Sequence, residues 1–268
     1  MEDFSQFEDS LFSKKNITIN YKPFVWFEIP NFLSPQNYEE LLCTYPDAST
    51  LPHFAPNENK TYSSLEKDIG FFNEFFEKNP LWMRFVGFLK SNLFTDDLEK
   101  TLKPALFKAR GFNGLKKWVV KDHSHKQNSF GFLENIRKIE VSRNINLTSI
   151  KSGGWIHPHS DAQRKLISMV FYLAPKDWRP EYGGGTRLFK AKNKMAEKRW
   201  CNNTLNTIPA SEYDQFFENF DCFYEASFSP NKLVVFLKSQ NSFHNVARVN
   251  CPPQNARNAL VINYNLAK

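Results

Sequence analysis

The spacing of apolar and polar positions changes near residue 136. Before it, apolar residues recur at helical intervals. Ser34 precedes Pro35 and is suited to cap a helix whose first position tolerates the missing proline donor; Tyr38, Leu41 and Leu42 then share one face. Residues 70–80 and 81–93 predict further helix, interrupted near Pro80, with Phe75, Phe76, Trp82, Phe85 and Leu89 on the side to be buried. After residue 136 the period falls to two. Residues 138–150 alternate Ile139, Val141, Arg143, Ile145 and Leu147 with polar neighbours, as a strand covered on one face does. Residues 166–174 form a compact apolar run of strand length. Strand-like segments follow at 186–189, 223–228, 232–237, 243–246 and 259–266, each bounded by Gly, Pro, Asn or Ser. Many short strands with turn residues between them predict a sandwich or a double-stranded barrel such as a jelly roll. Residues 190–222 interrupt the series. They are polar, begin with Lys190, Lys192, Lys194, Lys198 and Arg199, and read as an insertion able to cover a barrel mouth.

Composition sets the limits of this picture. The 268 residues are 41% apolar, enough for a buried core, and the 27 phenylalanines read as core filling. Residues 1–10 carry acids rather than a basic head and an apolar run, so no signal peptide is expected, and no apolar stretch approaches the ~18 residues of a membrane span. Cys43, Cys201, Cys222 and Cys251 are widely spaced without a C-x-x-C pair. They predict reduced thiols and a cytoplasmic location. The net charge of +7 is concentrated: residues 101–151 hold eleven Lys or Arg against Asp122, Glu134 and Glu140. Such a stretch is either a solvated surface or a face for an anionic substrate, nucleic acid included.

Three of the six histidines, His157, His159 and His244, fall in the strand-rich half. In an extended segment residues i and i+2 point the same way, so His159 and Asp161 present an imidazole and a carboxylate together. His244 is the best third ligand. Two histidines and one carboxylate on one face leave positions open for a co-substrate and O2, the preference of non-haem iron(II) oxygenases. Arg257 follows His244 by thirteen residues and opens the last apolar strand. Its guanidinium is able to grip a carboxylate through two parallel hydrogen bonds. Gly183 to Gly185 read as turn and close-packing residues rather than a phosphate loop, because no helix start follows them. His123 and His125 form an H-x-H in a polar loop without a third ligand, and His53 reads as a surface residue.

Taken in order, "HSD" (159–161), "KLISMVFYLA" (165–174), "YGGGTRLF" (182–189), "NKLVVF" (231–236), "SFHNVARV" (242–249) and "RNALVINY" (257–264) resemble the catalytic barrel of the 2-oxoglutarate- and iron(II)-dependent dioxygenases, most closely the prolyl-hydroxylase-like branch. The resemblance implies an α+β chain: a double-stranded β-helix (jelly-roll) core at 136–268, carrying the 190–222 insertion, on a helical N-terminal extension at 1–135. It implies iron(II) on His159, Asp161 and His244, and the distal carboxylate of 2-oxoglutarate on Arg257, with Tyr172 hydrogen-bonding the same carboxylate. The activity implied is hydroxylation with O2 as co-substrate and release of succinate and CO2; a carboxylate at position 161 favours this over halogenation. Ala174, where that branch carries Asn, and the 190–222 insertion both argue against a prolyl substrate. The substrate class expected is a small molecule or a peptidyl side chain, anions included, with no membrane partner. Two other classes remain open: a cupin-type metalloenzyme using His157, His159 and His244 without a 2-oxo acid, and a non-catalytic ligand-binding barrel. Arg257 weighs against the first, and the intact ligand set against the second.

Overall fold

A computed structural model describes residues 3–121, 137–201 and 207–267. The helices form where the pattern places them. Helix α1 (Pro35–Cys43) starts on Ser34, whose hydroxyl accepts from the Asn37 amide at 3.3 Å. Helices α2 (Ile69–Lys78) and α3 (Pro80–Lys90) are divided at Asn79, before the proline. The fourth helix is one that the spacing does not predict. α4 (Asn92–Arg110) starts on a second serine cap, Ser91, and continues through Pro104. Leu98, Leu102, Ala105 and Leu106 are buried along it, and this apolar stripe outweighs the one backbone donor the proline removes.

Twelve strands are described, in two sheets. The larger runs β1 (Trp26–Ile29), β10 (Leu233–Leu237), β7 (Lys165–Tyr172), β12 (Arg257–Leu266), β5 (Lys138–Ile150), β3 (Lys60–Ser64) and β2 (His53–Ala55), with β4 (Lys117–Val120) also paired to β5. All its pairings are antiparallel except β4 with β5. The smaller runs β6 (Ile156–His159), β11 (His244–Val246), β8 (Thr186–Ala191) and β9 (Phe220–Ala226), all antiparallel. The segment before residue 136 is therefore not only helical: it supplies four strands of the large sheet. β1 is too short, and β3 (KTYSS) too polar, for an alternating pattern to reveal them.

Strand parity divides the large sheet into two faces. Val141, Ile145 and Leu147 of β5, Ile167, Met169 and Phe171 of β7, and Leu260, Ile262 and Tyr264 of β12 pack under the helices, among Phe7, Phe27, Phe32, Phe85, Phe88 and Phe94. Each fully buried phenylalanine contributes about 1.5–3 kcal/mol of transfer free energy, so this layer anchors the sheet. The opposite parity, including Ile150, Tyr172, Val234 and Phe236, meets Leu188, Ala226 and Val246 of the small sheet. A cavity of about 280 Å3 opens between the two sheets.

The insertion is built rather than loose over its described part. Helix α5 (Tyr213–Asn219) brings Phe216 against Phe189, Trp200, Phe220 and Phe243 in a third apolar cluster. The Ile208 amide donates to the Pro158 carbonyl, and Thr207 bridges His159 through the backbone, so the insertion borders β6. The basic 101–151 stretch is not one face either. Its described parts are the end of α4, a 3-10 turn, β4 and β5. His123 and His125 lie outside the described residues.

Candidate metal centre

β6 carries His159 and β11 carries His244, and the two are register partners, with ring centroids 4.2 Å apart. Asp161 arrives differently from the parity expectation. β6 ends at His159, and Asp161 has a φ of 58°, in the left-handed region that aspartate tolerates better than most residues. This turn, rather than an extended strand, swings the carboxylate back. Asp161 Oδ1 lies 3.6 Å from His159 Nε2, and Oδ2 lies 3.7 Å from His244 Nε2. One donor atom from each residue falls within 4.8 Å of the others, and the carboxylate–imidazole separations of 3.6 and 3.7 Å are ones that an ion with bonds of about 2.0–2.2 Å can span. No other such group of three is found among the described residues.

The neighbours orient each donor. His159 Nδ1 is 2.8 Å from the His157 carbonyl, and His244 Nδ1 is 3.0 Å from that of Ser242. A carbonyl only accepts, so Nδ1 carries the proton in both rings and each Nε2 offers its lone pair to the shared space. Asp161 accepts from Lys165 Nζ at 2.6 Å on Oδ1 and from Ser168 Oγ at 2.8 Å on Oδ2. Burial drives the His244 pKa down to about 3, and the neighbouring His159 adds to this; the opposing pull of Asp161 is weaker. His244 is thus neutral at pH 7, the state a metal requires. Burial alone would raise the Asp161 carboxyl, but His244, the His159 contact and the Lys165 ammonium together hold it well below the usual carboxylate range. With His244 neutral, the steady positive charge beside it is Lys165.

Arg257 lines the same cavity and is only 1% exposed. Its Nε donates to the Gly184 carbonyl at 2.6 Å, and its guanidinium lies 5.1 Å from the Tyr172 ring centroid and 5.2 Å from that of Phe228. No carboxylate pairs with it among the described residues, and Nη2 is buried without a hydrogen-bond partner. A buried guanidinium with a free fork edge calls for an anionic acceptor. Gly184 makes the approach possible: a Cβ there would sit 3.2 Å from Arg257 Cδ, and its φ is 79°. Burial lowers the Arg257 pKa, but the group remains a cation at neutral pH.

The other expected residues separate. Tyr172 is fully buried beside Arg257, but its hydroxyl donates to Thr186 Oγ1 at 2.6 Å, and Thr186 rather than Tyr172 lines the cavity. Arg248 is exposed, donates to the Gly153 carbonyl and lies over the Trp155 ring. His157 is not part of the metal-capable group. Its ring stacks on Tyr213 of the insertion at 5.1 Å and meets Trp155 edge-on. His53 pairs with Asp68 at 2.8 Å, away from the centre. Residues the sequence did not single out also reach the cavity: Lys60 and Tyr62 from β3, and Asn263 from β12, whose buried Oδ1 has no partner. Strand parity on β12 could have found Asn263, three steps of two from Arg257. Nothing in the polar β3 segment marked Lys60 or Tyr62.

Residues 145–265 match the family model of the 2OG-Fe(II) oxygenase superfamily. That stretch is similar to a 2OG-Fe(II) oxygenase domain, a class of 2-oxoglutarate-dependent dioxygenases that uses Fe(II), 2-oxoglutarate and O2, and the His159, Asp161 and His244 group lies within it. Among solved structures, a Pseudomonas putida prolyl-4-hydroxylase is 14% identical, with a TM-score of 0.48 over 98% of both chains. A Trichoplax adhaerens prolyl hydroxylase, in complex with a hypoxia inducible factor peptide fragment, is 11% identical, with a TM-score of 0.47 over 90% of this chain and 83% of that one. HygX from Streptomyces hygroscopicus, with nickel, 2-oxoglutarate and hygromycin B bound, is 9% identical, with a TM-score of 0.45 over 90% and 83%. These likenesses carry no argument about substrate. No curated protein matches the chain. No helix among the described residues is long and apolar enough to cross a membrane.

Proposed function

We propose that this chain is a hydroxylase in which His159, Asp161 and His244 hold Fe(II) and Arg257 takes the distal carboxylate of 2-oxoglutarate, with succinate and CO2 as co-products. The carrying observation is the buried Arg257 edge, unpartnered at Nη2, in the cavity that also receives all three candidate ligands. The donor set fits the group: two imidazoles and one carboxylate suit a hard-to-borderline divalent ion and leave one face open. When bound, iron with the 2-oxo acid supplies the oxidising power. The protein's residues do the holding. Lys165 keeps Asp161 ionised and Ser168 fixes its second oxygen. Ile156, Val170, Val246, Phe236 and Val261 line the cavity with apolar surface that limits water. In this reading Tyr172 acts on the co-substrate through Thr186 and the face of Arg257.

The two-sheet core over 136–268 is read as a jelly roll, with 1–135 as its support. The prime substrate is taken to be a small molecule or a peptidyl side chain. Nucleic acid is disfavoured because the basic residues of 101–151 are dispersed over several elements. Four free cysteines accord with a reducing cytoplasm. The deciding experiment is anaerobic titration of Fe(II) and then 2-oxoglutarate, followed by a screen for substrate-triggered succinate release. Failure of 2-oxoglutarate to bind the metal-loaded protein would defeat this function.

A further inference from the structure

Beyond the iron and 2-oxoglutarate reading, and independent of turnover, we propose that a second cavity binds a small molecule through a phosphate monoester. The cavity measures about 910 Å3 and lies on another side of the ligand turn, against Ser160, the residue between His159 and Asp161. It is bounded by the end of α4, by the first part of the insertion and by the connection from β10 to His244. Four cations line it, Arg110, Lys194, Lys198 and Lys238, against one carboxylate, Glu197. None of the four has an acidic partner within ion-pair distance among the described residues.

Lys238 is the decisive residue. It is only 8% exposed, and among the described residues its ammonium makes one hydrogen bond, from Nζ to Ser160 Oγ at 3.2 Å. An ammonium offers three donors, so two are left facing the cavity without a protein acceptor among the described residues. A buried cation without a counterion is unfavourable, and such groups are normally paired. Burial lowers the Lys238 pKa, and the field of Asp161 offsets this only in part. Arg110 is similarly committed on one side only, its Nη2 donating to the Lys165 carbonyl at 2.7 Å. The insertion contributes Lys194 and Lys198, both exposed, at the rim.

Buried and rim cations together match a compact, multiply charged oxyanion; lysine meets phosphate as a point charge, and Arg110 adds directed donors. The volume exceeds that of a bare ion and falls in the range of metabolite sites, which makes the ligand a phosphorylated small molecule. It is separate from the Arg257 cavity. Of the four cations none lines that one, and the residues lining the two do not overlap.

The test is calorimetric titration of glycerol 3-phosphate into the 268-residue chain, anaerobic and Fe(II)-loaded, with and without saturating 2-oxoglutarate. Glycerol serves as the uncharged control, and a short single-stranded oligonucleotide as the polyanion control. Saturable binding of the phosphate ester alone is expected, unchanged by 2-oxoglutarate and weakened by added salt. Lys238→Met, which keeps the stem and removes the charge, is expected to weaken it at least tenfold. The exposed pair Lys194→Gln and Lys198→Gln is expected to weaken it several-fold at unchanged Tm, so the proposal stays open to refutation if Lys238→Met fails to fold. Absence of saturable binding, equal affinity in the variants, or loss of binding on adding 2-oxoglutarate would overturn it. Tighter binding of the oligonucleotide with the same dependence on Lys238 would replace a metabolite site by a polyanion groove. If 2-oxoglutarate itself does not bind, the proposed function falls while the phosphate result is read from the titration without it.

Discussion

Replacing Arg257 by lysine keeps the charge and removes the fork. Three changes follow from the structure. The Gly184 carbonyl loses the Nε donor now 2.6 Å away; Nη2, the free edge facing the cavity, disappears; and the planar group between Tyr172 and Phe228 becomes a compact ammonium. A hydrogen bond to a charged group is worth about 1.5–3 kcal/mol, so losing one of two to a carboxylate weakens 2-oxoglutarate roughly 10- to 100-fold. Iron is held by other residues, and its affinity is expected to stay within about twofold, well below a tenfold (~1.4 kcal/mol) step. Calorimetry under anaerobic conditions reads both constants in the same protein, metal first and co-substrate second. Arg248 is the internal control, because it follows His244 too but faces solvent on Gly153 and Trp155. If Arg257→Lys leaves 2-oxoglutarate binding intact while Arg248→Lys weakens it, the assignment is reversed. If both affinities fall together, Arg257 is a folding residue and the co-substrate argument is lost.

Asp161→Ala removes one candidate ligand and leaves Lys165 facing two imidazoles; metal content after dialysis is expected to fall to background, and retention of full metal would exclude Asp161 from the centre. Ser168→Ala frees one oxygen of that carboxylate and should weaken metal about 10- to 100-fold, the usual cost of losing an outer hydrogen bond, as measured by competition with a chelator. Gly184→Ala meets both a left-handed φ and the Arg257 side chain, so chemical denaturation should show about 1–3 kcal/mol of lost stability. The metal-free protein should lose stability as pH falls below the ordinary histidine value of 6.5, because the unfolded chain takes up a proton at His244 that the folded one refuses until about pH 3. Relative to His244→Asn, the loss is about 2 kcal/mol by pH 5, and equal pH profiles for the two proteins would refute the burial argument.

What the sequence could disclose depended on whether a residue's surroundings lie close along the chain. β5 was legible from its alternation, which records one face under the helices, whereas β7 and β12 were legible as apolar runs, because one face packs under the helices and the other faces the second sheet. β1 and β3 were not. β1 pairs across the sheet with a strand about two hundred residues away, Glu28 opposite Val234, and β3, beside its neighbour β2, joins the sheet through Tyr62 opposite Thr148; a strand that borrows its stability across the sheet need not alternate. α4 was obscured by Pro104, whose local signal is opposed by a tertiary stripe of leucines. The insertion was read as able to cover the mouth, but the contacts that seat it beside β6 were not legible, because they run from Thr207 to His159, Ile208 to Pro158 and Tyr213 to His157, residues about fifty apart in the chain.

The site itself combines both kinds of information. His159 and His244 sit on strands, and their pairing follows once β6 and β11 are neighbours. Asp161 was anticipated for a reason the structure does not use. Its carboxylate reaches the imidazoles through a left-handed turn after the strand, and that turn also places Ser160 toward Lys238 and the second cavity. An uninterrupted strand would send residue 160 to the opposite face, away from 159 and 161, but would leave the carboxylate further along the sheet. The turn instead concentrates three consequences in three residues: two donors converge on one point, Lys165 and Ser168 come within reach of the carboxylate, and the intervening serine is presented to a buried cation. The motif is short because a single backbone reversal does all three, which is why H-x-D is weak as a string and informative once the turn is known.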